Sequence, residues 1–301
     1  MRISTNTIYQ TAISKINSLQ ADQSKLQQQI ATGKRLLTPS DDPLSAARVL
    51  QLSQSQNVNT QFGENRKVAE TRLGDLDISL GSITELLTSV RTNLVGSAGT
   101  LSTGQRNALA IQLGSAMETL LGLANTRDAA GNYLYAGFQS KTVPFTATAT
   151  GATYNGDSNQ QMLQVDTHRQ MAVNASGDSV FQANGNDIFN TLSTLITLLN
   201  NPAATASTVT TGVATALSSM DSAISNVAVI RSTVGSRLNE IDSLNDVGAS
   251  RDLQYAQAMS ALQDLDYAKA LSDVSQKQSI LEAAQKSFAA TTGLSLFNFI
   301  K

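Results

Sequence analysis

An apolar stripe along the last forty residues limits what this chain can fold into. From Leu262 to Ile300, apolar or amide side chains recur at alternating gaps of four and three residues, the spacing of a helix that presents one seam to another helix. The seam consists of Tyr267, Leu271, Val274, Gln278, Leu281, Gln285 and Phe288. Because a helix with one such stripe cannot bury it alone, the spacing predicts a partner helix.

The N-terminal segment, from about Asn6 to Leu36, carries a matching stripe. Its gaps also alternate between three and four, and it also contains glutamine. The seam consists of Tyr9, Ala12, Ile16, Leu19, Gln23, Leu26, Ile30, Gly33 and Leu37. Since the two segments share a period and a similar length, we predict that the N- and C-terminal helices pair with each other. Packing of each helix within an ordinary bundle is an alternative that the pattern leaves open.

A second helix is predicted to start at Pro43. Asp42 before it is a favourable N-cap residue, and proline suits the first helical position because its missing N–H would have no partner there. The apolar spacing then continues through Phe62, Arg66, Ala69, Leu73, Leu76, Leu80, Ile83, Leu87, Val90 and Leu94. At about 1.5 Å per residue, the part from Phe62 alone would be roughly 50 Å long. A helix of this length predicts an elongated shape.

Further helices are predicted in the rest of the chain. A third helix ends near Ala130, where Gly131 follows, and a short helix starts after its N-cap residue Asp187. A long helix begins near Ser207, with an apolar seam that consists of Leu217, Met220, Ile224, Val227, Arg231, Val234, Leu238 and Ile241. Gly248 is expected to interrupt this helix briefly before the C-terminal stripe.

The region from Tyr133 to Phe181 has a different pattern. Short runs rich in Thr, Val and Phe alternate with Gly, Asn and Asp turns, which is typical of hairpin strands. Leu163 and Val165 would share one strand face, and Met171 and Val173 would share another. We therefore predict a small antiparallel β unit inserted between helices.

These patterns together predict a mainly α fold. It is an elongated bundle of long coiled-coil-like helices, with the N- and C-terminal helices paired and a small antiparallel β domain inserted. The predicted terminal-helix region comprises residues 1–42 and 262–301, the helical rod comprises 43–132 and 187–261, and the β-rich insert at the tip comprises 133–186.

Composition excludes several classes of partner and chemistry. Only 15% of the residues are charged, the net charge is −2, and no basic block occurs, which argues against nucleic acid as a partner. No apolar run approaches the roughly 20 residues of a membrane span, so no membrane partner is expected. The absence of cysteine excludes disulfides and thiolate chemistry. Chance composition is its simpler explanation, and export in an unfolded state is the alternative.

No constellation of residues suggests catalysis, a cofactor or a metal. Common phosphate-binding and hydrolase motifs do not occur. The single histidine, His168, has no second histidine or cysteine as a partner, so a surface role is expected. A weak resemblance to a calcium loop has Gln160 where the turn needs glycine. Its candidate ligands are Asn155, Asp157, Asn159 and Asp166.

Three arginines fall on predicted apolar seams: Arg66, Arg127 and Arg231. We expect their side chains to extend from the edge of the seam to water. Contact with carboxylates of a neighbouring subunit is the functional alternative.

Several motifs resemble the bacterial flagellin superfamily. MRISTN and SKINSLQADQSKLQQQIATGKRLLTPSDDP resemble the family's start, in which a first helix leads through a turn into the next one, and DLDYAKALSDVSQKQSILEAAQKSF resembles its terminal helix. GNYLYAGFQSKTVPF, from Gly131 to Phe145, and the closing TGLSLFNFI resemble the branch of the superfamily that joins the flagellar hook to the filament. The segment from Thr146 to Phe181 matches no motif of the family.

The resemblance implies an extracellular structural protein of the bacterial flagellum. It would be secreted by the flagellar type III export apparatus with an export chaperone, and would then assemble with copies of itself in a ring or helix. Its partners would be the first hook-filament junction protein on the hook side and flagellin on the filament side. A short flagellin that forms the filament itself is the alternative, and a helical signalling rod is an alternative of another class.

Under this resemblance, the apolar residues of the two terminal seams are the predicted assembly residues. They are Tyr9, Ile16, Leu19, Leu26, Ile30, Tyr267, Leu271, Val274, Leu281 and Phe288.

Overall fold

The computed structural model describes residues 5–97 and 99–297, and within them the chain forms seven α-helices and four short strands. In chain order these are α1 (Thr5–Thr32), α2 (Pro43–Gly96), α3 (Thr103–Ala124), β1 (Phe145–Thr148), β2 (Gly151–Tyr154), β3 (Met162–Asp166), β4 (Arg169–Ala172), α4 (Gly177–Phe181), α5 (Ile188–Asn200), α6 (Ala206–Gln263) and α7 (Tyr267–Phe297). The predicted mainly α fold with a small antiparallel β insert is confirmed.

Contacts between Cα atoms divide the chain into two compact units. The first unit contains the described residues of Met1–Val58 and Ser250–Lys301, and the second contains Asn59–Ala249. Helices α2 and α6 each contribute residues to both units. The three-part division into terminal helices, rod and insert stays a prediction.

The second unit has a continuous apolar core. Helices α2 and α6 run antiparallel within it, because Arg66 contacts Asn245 near one end of the pair and Arg91 contacts Asp221 near the other. The predicted α6 seam is buried at every seventh residue, at Met220, Val227, Val234 and Ile241. The α2 seam opposite is buried at Ala69, Leu73, Leu76, Leu80, Ile83, Leu87, Val90 and Leu94. Since each fully buried Leu-sized side chain contributes about 1.5–3 kcal/mol, this core stabilises the second unit.

The β insert consists of two separate antiparallel hairpins. Phe145 of β1 pairs with Tyr154 of β2, and Leu163 of β3 pairs with Met171 of β4. A two-stranded hairpin is marginally stable by itself. A cluster of aromatic rings with centroids 5.0–5.6 Å apart supports the insert. Its members are Tyr135, Phe145, Tyr154, Phe181 and Phe189.

Two element boundaries differ from the sequence prediction. Helix α3 ends at Ala124 instead of Ala130, because the Asn125 amide exchanges two 2.9 Å hydrogen bonds with the backbone of Phe145. The segment predicted to be strand up to Phe181 instead forms α4, and Phe181 is fully buried in the aromatic cluster. Val173 lies just beyond the end of β4.

The expectations for α6 need two corrections. Gly248 does not interrupt the helix, and a Cβ at this position would lie 2.5 Å from a terminal guanidinium nitrogen (Nη2) of Arg66. The glycine therefore makes room for that side chain. By length and composition α6 could also cross a membrane, contrary to the expectation from the sequence. Core helices of soluble proteins satisfy the same test, and Met220 and Val227 of α6 are buried in the core.

Candidate assembly surface of the paired terminal helices

Helices α1 and α7 pair with each other as predicted, and the structure shows that they run antiparallel. The Tyr9 ring lies 5.1 Å from the Phe288 ring at one end, and Lys277 Nζ lies 2.7 Å from Asp22 Oδ2 near the middle. At the other end of α1, the Leu265 N–H donates to the Gly33 carbonyl oxygen at 2.9 Å. The contacts therefore extend along the whole length of α1.

The predicted assembly residues are only partly covered in this pair. Five of them on α1 follow the seam, where Tyr9 is 45% exposed and the others, Ile16, Leu19, Leu26 and Ile30, are half-buried. On α7, Val274, Leu281 and Phe288 are half-buried, whereas Tyr267 and Leu271 are 51% and 58% exposed. Among the described residues of the first unit, Ala270 is the only fully buried apolar residue. The pair therefore leaves much apolar surface in water.

The seam that α7 presents to α1 differs in register from the predicted one. Gln278 and Gln285 are exposed, so their predicted place in the seam is wrong for the contact within the chain. Lys277 lies in the seam in place of Gln278, because its aliphatic chain can pack along α1 while its ammonium group reaches Asp22. The less exposed residues of the seam are Ala270, Val274, Lys277, Leu281, Ala284 and Phe288.

Two turns meet at the base of this pair, and we call residues 33–42 and 262–266 the terminal clasp. The Arg35 N–H donates to the Gln263 carbonyl oxygen at 2.7 Å, and the Arg35 guanidinium donates to the Leu262 carbonyl oxygen at 2.7 Å. Gly33 ends α1 with a φ of +69°, and a Cβ there would lie 2.9 Å from Tyr267 Oη. The clasp thus joins the end of α1 to the break between α6 and α7.

Two adjacent carboxylates organise the turn from α1 to α2. Asp41 Oδ2 accepts hydrogen bonds from the Leu37 and Thr38 N–H groups at 3.0 Å, and Lys25 Nζ lies 2.6 Å from Asp41 Oδ1. Asp42 caps α2 as predicted, since its Oδ1 accepts the Ser45 N–H at 3.1 Å.

Both carboxyl groups are stabilised in the ionised form. Hydrogen bonding to Lys25 and to the backbone holds the pKa of Asp41 well below its usual range. Hydrogen bonds from the hydroxyl and N–H of Ser45, with a smaller contribution from Arg35, lower the pKa of Asp42. Two ionised carboxylates therefore stabilise this turn by accepting hydrogen bonds from its backbone.

The Gly131–Phe145 motif attaches the insert to α2. Tyr135 is fully buried, and its hydroxyl lies 2.8 Å from Ser79 Oγ. Burial raises the pKa of the Tyr135 hydroxyl. Gly137 has a φ of +68°, and a Cβ there would lie 2.3 Å from the backbone oxygen of Asp157. This part of the motif therefore has a packing role within the second unit.

The expectation that Arg66 extends to water is wrong. Its side chain is buried, with Nε donating to Asn245 Oδ1 at 2.7 Å and a terminal nitrogen donating to the Val165 carbonyl oxygen at 3.0 Å. Arg66 therefore connects α2, α6 and β3 within the second unit.

The other two seam arginines also have partners within the chain. The Arg231 guanidinium makes two hydrogen bonds with the Asp77 carboxylate, at 3.0 and 3.4 Å. The Arg127 guanidinium lies 4.4 Å from the centre of the Tyr133 ring, a cation–π geometry. Carboxylates of a neighbouring subunit are not needed to explain either residue.

Among the residues considered for catalysis or metal binding, His168 lies in water and Asp157 is hydrogen-bonded to the backbone of the chain. His168 is exposed in the turn between β3 and β4. The Asp157 carboxylate accepts the N–H groups of Phe138 and Asn159 at 2.9–3.1 Å. Within the part of the chain that the structure describes, no group of three or more His, Asp or Glu residues is placed to hold a metal ion.

Known proteins match this chain both in its N-terminal region and over its full length. Residues 3–140 match the family model of the bacterial flagellin N-terminal helical region. The whole chain is 33% identical to the whole of Flagellar hook-associated protein 3 from Escherichia coli K12. It is 32% identical to Flagellar hook-associated protein 3 from Salmonella typhimurium, over 99% of each chain.

Solved structures share the fold at lower identity. The flagellar junction protein FlgL from Legionella pneumophila is 20% identical with a TM-score of 0.61, covering 72% of this chain and 100% of that one. Xanthomonas campestris FlgL is 19% identical with a TM-score of 0.61, covering 69% of this chain and 99% of that one.

The family-model match and the two full-length relatives identify the chain as a flagellin-like structural protein. More narrowly, the chain belongs to the family of flagellar hook-associated protein 3, as its identity with two full-length relatives demonstrates. Members of this family are components of the bacterial flagellum. Of the motifs that suggested the resemblance, the first four residues and the closing Asn298–Ile300 lie outside the described residues.

Proposed function

We propose that this chain is a structural, non-catalytic subunit that joins the flagellar hook to the flagellin filament and polymerises through its terminal helices. The observation that carries the proposal is the identity with flagellar hook-associated protein 3 over the full length of both chains. A short flagellin, the alternative raised by the sequence, is not favoured by these relatives.

The exposure of the terminal seams supports polymerisation. Tyr9, Tyr267 and Leu271 keep about half of their surface in water in the single chain. Fully burying a Leu-sized side chain stabilises a contact by about 1.5–3 kcal/mol, so a neighbouring copy that covers these residues would stabilise the assembly. The predicted assembly residues thus act within the α1–α7 pair and against neighbouring copies.

The proposed partners follow from a position between hook and filament. On the hook side the chain contacts the first hook-filament junction protein, and on the filament side it contacts flagellin. An export chaperone and the flagellar type III apparatus deliver it to the cell exterior, and a chain without cysteine is suited to transport in an unfolded state. We assign residues 1–42 and 262–301 to assembly, 43–132 and 187–261 to the rod, and 133–186 to the exposed insert.

Deletion of the gene in a flagellated strain tests the proposal. We expect cells without the chain to export flagellin into the medium, to keep their hooks and to lose attached filaments, as judged by electron microscopy and by flagellin blots of cells and medium. Expression of the intact chain should restore the filaments. Attached filaments of normal number in the deletion strain would contradict a junction role.

A further inference from the structure

Helices α2 and α6 each bury a stripe of residues that repeats every seven positions. On α6 the stripe is Met220, Val227, Val234, Ile241 and Gly248. On α2 it is Asn59, Arg66, Leu73, Leu80, Leu87 and Leu94. The last four residues on α2 are all leucine and the first four on α6 are all apolar, so a shift by seven residues presents the same kinds of side chain again. The apolar part of the pair therefore does not define its own register.

The first two residues of the α2 stripe are polar and make specific contacts with α6. Asn59 and Arg66 are each 4% exposed. The Asn59 amide nitrogen donates to the Gly248 carbonyl oxygen at 2.9 Å, and Arg66 Nε donates to Asn245 Oδ1 at 2.7 Å. We call Asn59, Arg66, Asn245 and Gly248 the polar layer. Because buried polar groups are costly without their partners, this layer depends on the register far more than the leucines do.

Arg66 and Gly248 fit each other by size. A Cβ at Gly248 would lie 2.5 Å from Arg66 Nη2, so the guanidinium occupies the space that a side chain would need. Its hydrogen bonds to Asn245 and to β3 keep it from moving aside. A shift of seven residues would bring Ile241 in one direction, or Tyr255 in the other, to the place of Gly248. Either side chain would collide with the guanidinium, so the observed register is the one that leaves room for Arg66.

We propose that the polar layer selects the register in which α2 and α6 pair when the chain folds. A single polar residue at a seam position can specify the register of two helices, at a cost in stability. Two long apolar helices that first meet in a shifted register would form a kinetic trap, and a buried guanidinium without space or partners makes that trap unfavourable. The inference goes beyond the proposed function, since it concerns the folding of the single chain.

Spin labels placed far apart along the two helices test the inference. Ile78→Cys on α2 and Thr210→Cys on α6 lie at exposed positions, and the chain contains no cysteine of its own. Pulsed electron resonance measures the distance between the two labels before the chain is unfolded in urea and after it is refolded. A shift by seven residues would move one label along the helices by about 10 Å, because each residue advances a helix by ~1.5 Å.

We expect a single distance for the labelled chain both before unfolding and after refolding. The triple variant Asn59→Leu, Arg66→Leu and Gly248→Ala continues the apolar stripes, and after refolding it should show a second distance that differs by about 10 Å. Asp77→Asn with Arg231→Gln is the matched control, because it removes a partly exposed contact between the same two helices and should refold to the single distance. A single distance in the triple variant, or the second distance in the control as well, would overturn the inference.

Urea unfolding gives a second measure that does not require the triple variant to refold. Gly248→Ala alone should lower the unfolding midpoint, because its Cβ meets Arg66 Nη2. In the Arg66→Leu chain the same substitution should raise the midpoint, because alanine favours a helix over glycine. Equal changes in both backgrounds would overturn the fit between the two residues on which the inference depends. Both measurements use the purified chain, so their failure would leave the proposed junction role unaffected.

Discussion

Gly33 and Gly137 hold backbone conformations that other residues adopt only with strain. Their φ angles are +69° and +68°. At Gly33 the left-handed conformation ends α1 and leaves room for Tyr267, and at Gly137 it brings the chain against Asp157. Each glycine therefore allows a close contact that a Cβ would prevent.

We expect Gly137→Ala to destabilise the second unit by about 2 kcal/mol or more, because the left-handed backbone alone costs roughly 1–2 kcal/mol and the Cβ adds a collision. Urea unfolding measures the loss. Gly114 in α3 is the matched control, since a Cβ there meets no atom within 4 Å. Gly114→Ala should stabilise the chain by about 0.5–1 kcal/mol. Unchanged unfolding of Gly137→Ala would contradict the role given to this glycine.

Single residues were predictable from sequence where their partner is local. Asp42 and Asp187 were predicted as N-caps, and each accepts a backbone N–H three residues later. The contact between Tyr135 and Ser79 joins positions 56 residues apart, so no local pattern could reveal it. The partners of Arg66 are 99 and 179 residues away, so the local sequence cannot predict its burial.

At the scale of elements, the helices were predictable and the register of one seam was not. The α2 seam is predictable because large apolar residues recur at gaps of three and four from Leu73 to Leu94, and the structure buries them. In α7, the spacing of large apolar residues predicts that Tyr267 and Leu271 lie in the seam. The structure places Ala270 and Ala284 there instead. Small alanine side chains carry little weight in a pattern of large apolar residues, so the spacing alone could not place them in the seam.

The two faces of α7 should respond differently to a buried charge. Leu281→Asp lies in the seam against α1 and should separate the pair, since burying a carboxylate without a partner is unfavourable. Leu271→Asp lies on the exposed side and should leave the pair intact. Both variants should lose attached filaments, and circular dichroism of the monomer should fall only for Leu281→Asp.

Ser275→Asp, at an exposed position of α7, is the control and should retain both helicity and filaments. Normal filaments with Leu271→Asp would contradict the assignment of the exposed face to assembly. Loss of the whole helical signal with Leu281→Asp would contradict the expectation that the second unit folds without the α1–α7 pair.

The terminal clasp should weaken in acid. The pKa values of Asp41 and Asp42 lie below the ordinary value of 3.8 in the folded chain, so the unfolded state binds more protons. Their stabilisation is therefore complete above about pH 4 and is lost as the pH falls through the lowered pKa values.

Spin labels on Ser18→Cys and Ser279→Cys can measure this loss, because the chain has no other cysteine. Pulsed electron resonance should give a narrow distance distribution at neutral pH that broadens as the pH falls below about 4. In the double variant Asp41→Asn and Asp42→Asn, the distribution should change less with pH. The same broadening in both proteins would contradict a carboxylate origin.

For the molecule as a whole, the two units differ in how much apolar surface they bury. The second unit has a core that extends over α2, α3, α4, α5 and α6 and the β strands of the insert. The described part of the first unit buries one apolar residue completely, Ala270. Regions with few buried apolar contacts open at lower free energy than regions with a dense core.

Hydrogen exchange should therefore divide the monomer at the boundary between the units. Amides within residues 5–58 and 250–297 should exchange faster than helical amides within 59–249, because less buried surface opposes their opening. Mass spectrometry of peptic fragments resolves this pattern. Equal protection of α1 and of the α2 segment from Leu73 to Leu94 would contradict it.

The central claim is that the chain occupies the junction and not the filament. Immunogold labelling of intact flagella with an antibody against this chain tests it most directly. The account predicts one band of label where the filament meets the hook, with the rest of the filament unlabelled. Label along the whole filament would contradict it and would identify the chain as a flagellin.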